Sequence, residues 1–165
     1  MNKLILAFAA GLIAFSAEAA DFDCSNLPQV RQLADYGNAE AQTGLASLYL
    51  MGKCVVQDYS ESARWARKAA AGGDAGAEFI LSGLYLEGLG VQKDTDEAVR
   101  WLRKSAEHGN AMAQGQLGMV YVTGKFAQTD YDEAMKWLQL ACSNGDRRSC
   151  DFLDQVRVEM QKMLR

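Results

Sequence analysis

The stretch from Ala77 to Gly109, AEFILSGLYLEGLGVQKDTDEAVRWLRKSAEHG, decides the fold because its pattern recurs 36 residues earlier and 36 residues later. Six sets of positions keep this spacing: Gly37, Gly73, Gly109 and Gly145; Leu45, Leu81, Leu117 and Leu153; Tyr49, Tyr85 and Tyr121; Gly52, Gly88 and Gly124; Asp58, Asp94 and Asp130; and Trp65, Trp101 and Trp137. A fixed period of this length predicts one supersecondary unit stacked on copies of itself, each burying its neighbour's apolar face.

Each unit divides into two amphipathic stretches. In the second unit, Asp74 precedes apolar residues at helical spacing, Ala77, Leu81 and Leu84, and Gly88 ends the run. The following stretch opens with an aspartate and has a glutamate three residues later, which predicts a capping box. The sequence therefore predicts an all-α protein of eight helices, at residues 26–36, 39–51, 59–71, 75–87, 95–107, 111–123, 131–143 and 147–163.

The beginning of the chain does not share the repeat. Lys3 and the apolar run from Leu4 to Phe15 precede Ala17-Glu18-Ala19, which predicts a secretory signal peptide over residues 1–19, cleaved after Ala19. The alternative, a membrane anchor, is disfavoured because the run is shorter than the ~20 apolar residues that span a bilayer. The remaining residues are predicted to form a single solenoid domain over 20–165, with repeats at about 37–72, 73–108 and 109–144 and a capping helix at 147–163.

The repeated unit resembles the Sel-1-like repeat, a relative of the tetratricopeptide repeat, whose own unit is ~34 residues long. The resemblance covers about residues 37–153. The residues that carry it most fully are Ala77, Glu78, Leu81, Tyr85, Gly88-Leu89-Gly90-Val91, Asp94, Glu97, Ala98, Trp101, Lys104-Ser105-Ala106 and Gly109. The chain departs from the pattern at Cys54 and Phe126, which stand where the second unit has Gly90, and in the final half-unit.

The resemblance implies a right-handed α-solenoid of antiparallel helix pairs, in which the first helix of each pair lines a concave face and the second a convex face. It also implies adaptor work, since members of the family assemble complexes in bacterial envelopes or in degradation machinery. Some members of its cysteine-containing exported branch carry a penicillin-binding or β-lactamase label, which does not transfer to this chain by itself.

Four cysteines lie beyond the predicted cleavage site: Cys24, Cys54, Cys142 and Cys150. An even number in an exported chain predicts two disulfides, with three connectivities open. The repeat register favours Cys24–Cys54 and Cys142–Cys150, because crossed pairs would join opposite ends of the solenoid, beyond the ~7 Å that a disulfide spans between Cα atoms. The second pair also matches the exported branch of the resembled family, in which such bridges clip successive helices.

Recognised catalytic motifs are absent from the sequence. No serine is followed three residues later by a lysine, as a serine β-lactamase requires, and neither Gly-x-Ser-x-Gly nor His-Glu-x-x-His occurs. His108, the single histidine, is expected to serve the end of a helix. The cysteine spacing does not fit a metal site, and a net charge of −4 argues against nucleic acid. We therefore predict no enzymatic activity, metal or cofactor; the alternative is a hydrolase acting on β-lactam or peptidoglycan substrates.

The function that the sequence favours is binding of another protein by a monomeric periplasmic or secreted module without a membrane span. The partner would be a toxin or effector for an immunity protein, or an envelope complex for an adaptor. Residues that vary between units but share one helical stripe are expected to face the concave groove: Glu40, Thr43, Ser47, Met51, Gly76, Phe79, Gly83, Glu87, Met112, Gly115, Met119, Thr123, Arg148 and Asp151. The alternative is that these side chains fill gaps between helices.

Overall fold

A computed structural model describes residues 24–163, which form eight α-helices after a 3-10 turn at Cys24–Asn26 and contain no β-strand. The helices are α1 (Leu27–Asp35), α2 (Ala39–Met51), α3 (Tyr59–Ala70), α4 (Ala75–Glu87), α5 (Thr95–Glu107), α6 (Ala111–Thr123), α7 (Tyr131–Ser143) and α8 (Arg147–Met163). Each predicted helix is confirmed to within one residue at either end. The predicted signal peptide lies outside the described residues.

The helices form an α-solenoid of antiparallel pairs in which the even-numbered helices make an inner layer and the odd-numbered helices an outer one. The inner helix α4 buries nine of its thirteen residues, whereas the outer helix α5 buries four of thirteen. Inner helices also contact each other across unit boundaries, α2 with α4 and α6 with α8. The inner layer is therefore enclosed on several sides, and the outer layer buries a single face.

The repeated apolar positions fill the space between these two layers. Leu45, Leu81 and Leu117 are fully buried, one in each unit. Trp65 is 6% exposed and packs in the core of the first unit, while the Lys68 ammonium lies 4.3 Å from the centroid of its ring. The tryptophan positions thus serve packing, as their place on an apolar helical face predicts.

The outer helices α3, α5 and α7 begin at aspartate caps, but only the aspartate half of the predicted capping box forms. Asp58 accepts hydrogen bonds from the backbone N–H groups of Ser60 and Glu61. The Glu61 side chain does not return to the cap; it binds Arg64, and the hydrogen bond from that guanidinium lowers the pKa of the Glu61 carboxyl. The reason is that the backbone N–H of the cap already has an acceptor in the preceding inner helix, the carbonyl of Tyr49 at 3.0 Å. The same bond recurs for Asp94 with Tyr85 and Asp130 with Tyr121.

Replacing the cap Asp94 by alanine is expected to lower the free energy of unfolding by about 1 kcal/mol, since the Glu97 backbone N–H loses its acceptor at 2.9 Å. Chemical denaturation measures the change. The matched control is Asp96→Ala, which removes a carboxylate from the same first turn without removing the cap. Equal losses in the two variants would show that charge near the helix start, and not the cap hydrogen bond, stabilises α5.

A ladder of arginine and tyrosine side chains joins each outer helix to the following inner helix. The guanidinium donates to the tyrosine hydroxyl in three successive pairs: Arg31 with Tyr49 at 3.4 Å, Arg67 with Tyr85 at 3.1 Å and Arg103 with Tyr121 at 2.8 Å. At the last step the donor and the acceptor exchange helices: Arg157 of the inner helix α8 donates to Gln139 Oε1 of the outer helix α7 at 2.9 Å. The ladder therefore continues into the final half-unit with its donor on the other helix.

Both predicted disulfides are present, and they close opposite ends of the solenoid. The Cα atoms of Cys24 and Cys54 are 5.3 Å apart, and those of Cys142 and Cys150 are 4.8 Å apart. Cys54 has a φ of +63°, close to the +66° of Gly90 one repeat later. A Cβ on Gly90 would lie 2.3 Å from the carbonyl carbon of Tyr59, so the loop approaches the start of an outer helix very closely. One repeat earlier, Cys54 makes the equivalent close approach to the start of the preceding outer helix, and the first disulfide forms there.

Candidate functional site: a pocket between α6 and α8

A cavity of about 180 Å³ opens between the inner helices α6 and α8, above the outer helix α7. Its apolar walls come from two methionines of α6, a leucine of α7 and a phenylalanine of α8. Its polar atoms lie at the beginning of α8 and on one residue of α6. The lining residues are Met112, Gly115, Gln116, Met119, Leu138, Asp146, Arg148, Ser149 and Phe152.

The cavity borders Gly115, at a position of the repeat where the other two units have a larger residue. Thr43, Phe79 and Gly115 are equivalent, one in each unit. Thr43 donates from its hydroxyl to Asp74 Oδ1 at 2.9 Å, at the cap of the next inner helix, and Phe79 is 4% exposed. Gly115 has no side chain to place there. The start of α8 lies close to Gly115, with Ser149 Oγ 2.3 Å from where a Cβ would be, and the cavity opens beside this position.

The polar groups around the cavity fall into two sets. Asp146, Arg148 and Ser149 satisfy one another: the Ser149 hydroxyl donates to Asp146 Oδ2 at 2.6 Å, and the Arg148 guanidinium lies 3.6 Å from Asp146 Oδ1. Gln116 is different, since it is 8% exposed and its side-chain amide makes no hydrogen bond to any residue in the range 24–163. That amide is not fully buried, since the fully buried side-chain polar atoms without a partner in this range are the indole nitrogens of Trp101 and Trp137. The Gln116 amide therefore faces the open space of the pocket.

The structure brings four of the predicted groove residues together in this pocket: Met112, Gly115, Met119 and Arg148. The other predicted residues do not join them. Glu40, Glu87, Thr123 and Asp151 are exposed, while Thr43, Met51 and Gly76 are half-buried.

Three residues predicted for the groove surface are buried instead: Ser47, Phe79 and Gly83. The expectation that Phe79 offers an apolar contact surface is therefore wrong. Its side chain lies in a core cluster with Leu102 of α5 and Leu117 of α6. Neighbouring inner helices pack against each other, and the edge of the variable stripe is covered by the next unit. For Phe79 the structure agrees with the alternative interpretation, in which the side chain fills a gap between helices.

Five pocket residues were not among the predicted groove residues: Gln116, Leu138, Asp146, Ser149 and Phe152. One signal in the sequence points to them. Gln116 stands where the second unit has Ile80, and Gly115 beside it stands where that unit has Phe79. A polar residue and a glycine replacing two large apolar residues at core positions indicate an opening in the packing.

A second polar cluster joins Glu78 of α4 to His108 at the end of α5. The Glu78 carboxylate is 2% exposed and lies 2.8 Å from His108 Nδ1. One repeat later the same two positions are Gln114 and Asn144, and the Asn144 amide donates to Gln114 Oε1 at 2.9 Å. Because an uncharged pair takes the same place in the next unit, the contact serves to join the two helices of one unit, and His108 has a structural role, as expected.

Residues 24–163 contain no cluster of three or more histidine, cysteine, aspartate or glutamate side chains arranged to hold a metal ion. Within the same range, no helix combines the length and the apolar character that crossing a lipid bilayer requires. The two disulfides indicate an oxidising environment.

Comparison with protein families gives one match, repeated three times. A model described as the Sel1 repeat matches residues 39–74, 75–110 and 111–146. Each match begins two residues after the predicted unit boundaries at 37, 73 and 109. No curated protein matches the chain significantly.

Several solved structures share the fold. A Sel1 repeat protein from Oxalobacter formigenes is 31% identical with a TM-score of 0.73, over 90% of this chain and 61% of that one. The protein c5321, a protective antigen of uropathogenic Escherichia coli strains with an SLR fold, is 35% identical with a TM-score of 0.69, over 75% of this chain and 27% of that one. Cysteine rich protein B of Helicobacter pylori is 19% identical with a TM-score of 0.62, over 76% of this chain and 96% of that one. The chain thus spans less than two thirds of the first two proteins.

Proposed function

The chain belongs to the Sel1 repeat family, and from that premise we propose that it is an exported interaction module that binds a partner protein on its inner helices, at the pocket between α6 and α8. Sel1 repeat proteins are generally protein-interaction modules, and the family is typically a non-enzymatic scaffold. The role proposed here is that of an adaptor or an immunity protein, which acts by holding its partner and not by changing it chemically.

One observation carries this proposal: the pocket combines apolar walls with the Gln116 amide, which faces the cavity and makes no hydrogen bond to any residue in the range 24–163. A binding surface characteristically has an apolar centre that is desolvated on contact and a polar rim. Here the centre is formed by Met112, Met119 and Phe152, and Arg148 stands at the rim with 65% of its side chain exposed. A partner that covers the pocket would supply the hydrogen bonds that Gln116 lacks.

Export is supported by the two disulfides, since such bonds form and persist in oxidising compartments. The predicted signal peptide agrees with that location. We place the mature protein in the periplasm or outside the cell.

Photocrosslinking tests the proposed surface. A benzophenone amino acid introduced at Met119 is expected to form a discrete adduct with one partner in cells that express the full chain. The matched control carries the same group at Leu140 of the outer helix α7, which is also apolar and is 42% exposed. We expect no adduct from Leu140. Adducts of the same pattern from both positions, or from neither, would contradict binding on the inner layer.

A further inference from the structure

The cavity beside Gly115 has an internal counterpart whose occupant is known. In the preceding unit, Phe79 holds the position equivalent to Gly115 and lies in a core cluster with Leu102 of α5 and Ala113 of α6. One repeat later these two residues correspond to Leu138 and Ser149, and both line the pocket. Two residues of the pocket wall therefore stand where the neighbours of a benzyl side chain stand one repeat earlier.

The dimensions and flexibility of the pocket agree with an aromatic occupant. An engineered apolar cavity of about 150 Å³ binds benzene, and this pocket measures about 180 Å³. Met112 and Met119 are unbranched and polarisable, so they adapt to a ring more readily than branched side chains do. A Cβ attached to Gly115 would lie 2.3 Å from Ser149 Oγ and 2.9 Å from Asp146 Oδ2, so these side chains occupy the position of the missing side chain's base. A ring must therefore enter from outside.

Gln116 sets a second requirement for a ligand of the pocket, beside the aromatic ring. Its amide offers an N–H donor and a carbonyl acceptor side by side and carries no charge. A main-chain peptide group offers the matching acceptor and donor. Charged ligands fit poorly, because the one carboxylate of the pocket, Asp146, already receives the Ser149 hydroxyl and lies near Arg148.

We infer, on the basis of the function proposed above, that the pocket receives a phenylalanine side chain from a partner protein and that Gln116 pairs with a main-chain peptide group beside it. The aromatic anchor takes the place that Phe79 takes in the preceding unit. The partner segment is extended where it meets Gln116, since a helical peptide group has its own hydrogen bonds occupied.

Binding of short peptides to the mature, disulfide-bonded protein tests the inference. The probes are acetyl-Gly-Phe-Gly-amide and acetyl-Gly-Ala-Gly-amide, with chemical-shift changes measured at the Gln116 side-chain amide and the Met119 methyl group. Removing the ring is expected to weaken binding at least tenfold, because burial of a phenylalanine side chain contributes about 1.5–3 kcal/mol and each 1.4 kcal/mol is a factor of ten. Equal binding of the two peptides would overturn the inference.

Two variants that copy the preceding unit sharpen the test. Gly115→Phe with Ser149→Ala reproduces the pair formed by Phe79 and Ala113, and it is expected to abolish peptide binding while the fold is kept. Gln116→Ile reproduces Ile80 and should reduce affinity about tenfold, the contribution of about one hydrogen bond. Gln155→Ile, at an exposed position of α8, is the control and should bind as the unmodified protein does.

The outcomes separate this inference from the proposed function. Unchanged binding by the filled variant, or by Gln116→Ile, would refute the aromatic anchor or the amide pairing respectively. If the filled variant does not fold, the comparison of the two peptides and the Gln116→Ile variant still decide the matter. Absence of phenylalanine selectivity together with a discrete crosslink from Met119 would leave the interaction role intact and refute only the chemistry assigned to the pocket.

Discussion

Replacing both Cys24 and Cys54 by alanine is expected to lower the free energy of unfolding by about 3.5 kcal/mol, because the disulfide closes a long loop in the unfolded chain. The two cysteines are separated by 30 residues, and this loop includes all of α1 and α2. Natural domains are stable by only about 5–15 kcal/mol, so the loss is a large share of the total. Equilibrium denaturation in guanidinium chloride measures it.

The effect should concentrate in α1, which has little else to hold it. Ala34 is its one buried residue, and its carbonyl accepts a hydrogen bond from the Gln42 amide at 2.9 Å. We therefore expect amide hydrogen exchange in α1 to accelerate more than in α4, which lies inside the stack. Uniform acceleration through the solenoid would show that α1 does not open independently.

The second disulfide provides the matched comparison. Cys142 and Cys150 are separated by 8 residues, and the same loop-entropy argument gives about 2.5 kcal/mol for their removal. We expect removal of Cys24 and Cys54 to cost more stability than removal of Cys142 and Cys150. A larger loss from removing Cys142 and Cys150 would mean that the bridge between α7 and α8 stabilises the native packing, and not chiefly the unfolded state.

Replacing His108 by alanine is expected to cost about 2 kcal/mol, because it leaves a buried carboxylate without its hydrogen-bond partner. Glu78 is 1% exposed, and His108 is the only side chain in the range 24–163 that hydrogen-bonds its carboxylate. The contact joins the inner helix of one unit to the end of the following outer helix. Its loss should therefore lower the stability of the whole stack, as measured by chemical denaturation.

The chain itself supplies the variant that should restore stability. Glu78→Gln with His108→Asn reproduces the pair formed by Gln114 and Asn144 one repeat later. The new Gln amide can also donate to the Ala70 carbonyl, as the Gln114 amide donates to Ala106 at 3.0 Å. We expect the double variant to fold with a stability within about 1 kcal/mol of the unmodified protein. A double variant as unstable as His108→Ala would show that the contact between Glu78 and His108 has a role beyond joining the two helices of the unit.

Prediction from sequence succeeded where a feature depends on a few neighbouring residues or on the repeat itself. The helix limits follow from Asp and Asn caps, glycine exits and apolar spacing, all of which act within a turn or two of the chain. The disulfide pairs followed from register, since Cys24 and Cys54 occupy places that are adjacent in any such stack. Capping by glutamate failed because the N–H of Asp58 takes its acceptor, the Tyr49 carbonyl, from another helix.

The site was predicted only in part, and the reason is physical. The period of the sequence shows which face of an inner helix varies, and that face includes Met112, Met119 and Arg148, which line the pocket. The period does not show which of these variable side chains the next unit covers. Phe79 and Gly115 hold the same position of the repeat, yet the first is buried in the core and the second borders a cavity.

The sequence by itself therefore determined the all-helical repeat, the order and length of the helices, their caps and the pairing of the cysteines. Only the tertiary structure decided where the stack is filled and where it is open. Periodicity describes the backbone, which is nearly the same in every unit, whereas a pocket arises from the difference in volume between the side chains that face each other across two units. At the interface of α6 with α8 that difference is the absence of a side chain at Gly115, with Gln116 left unpaired beside it.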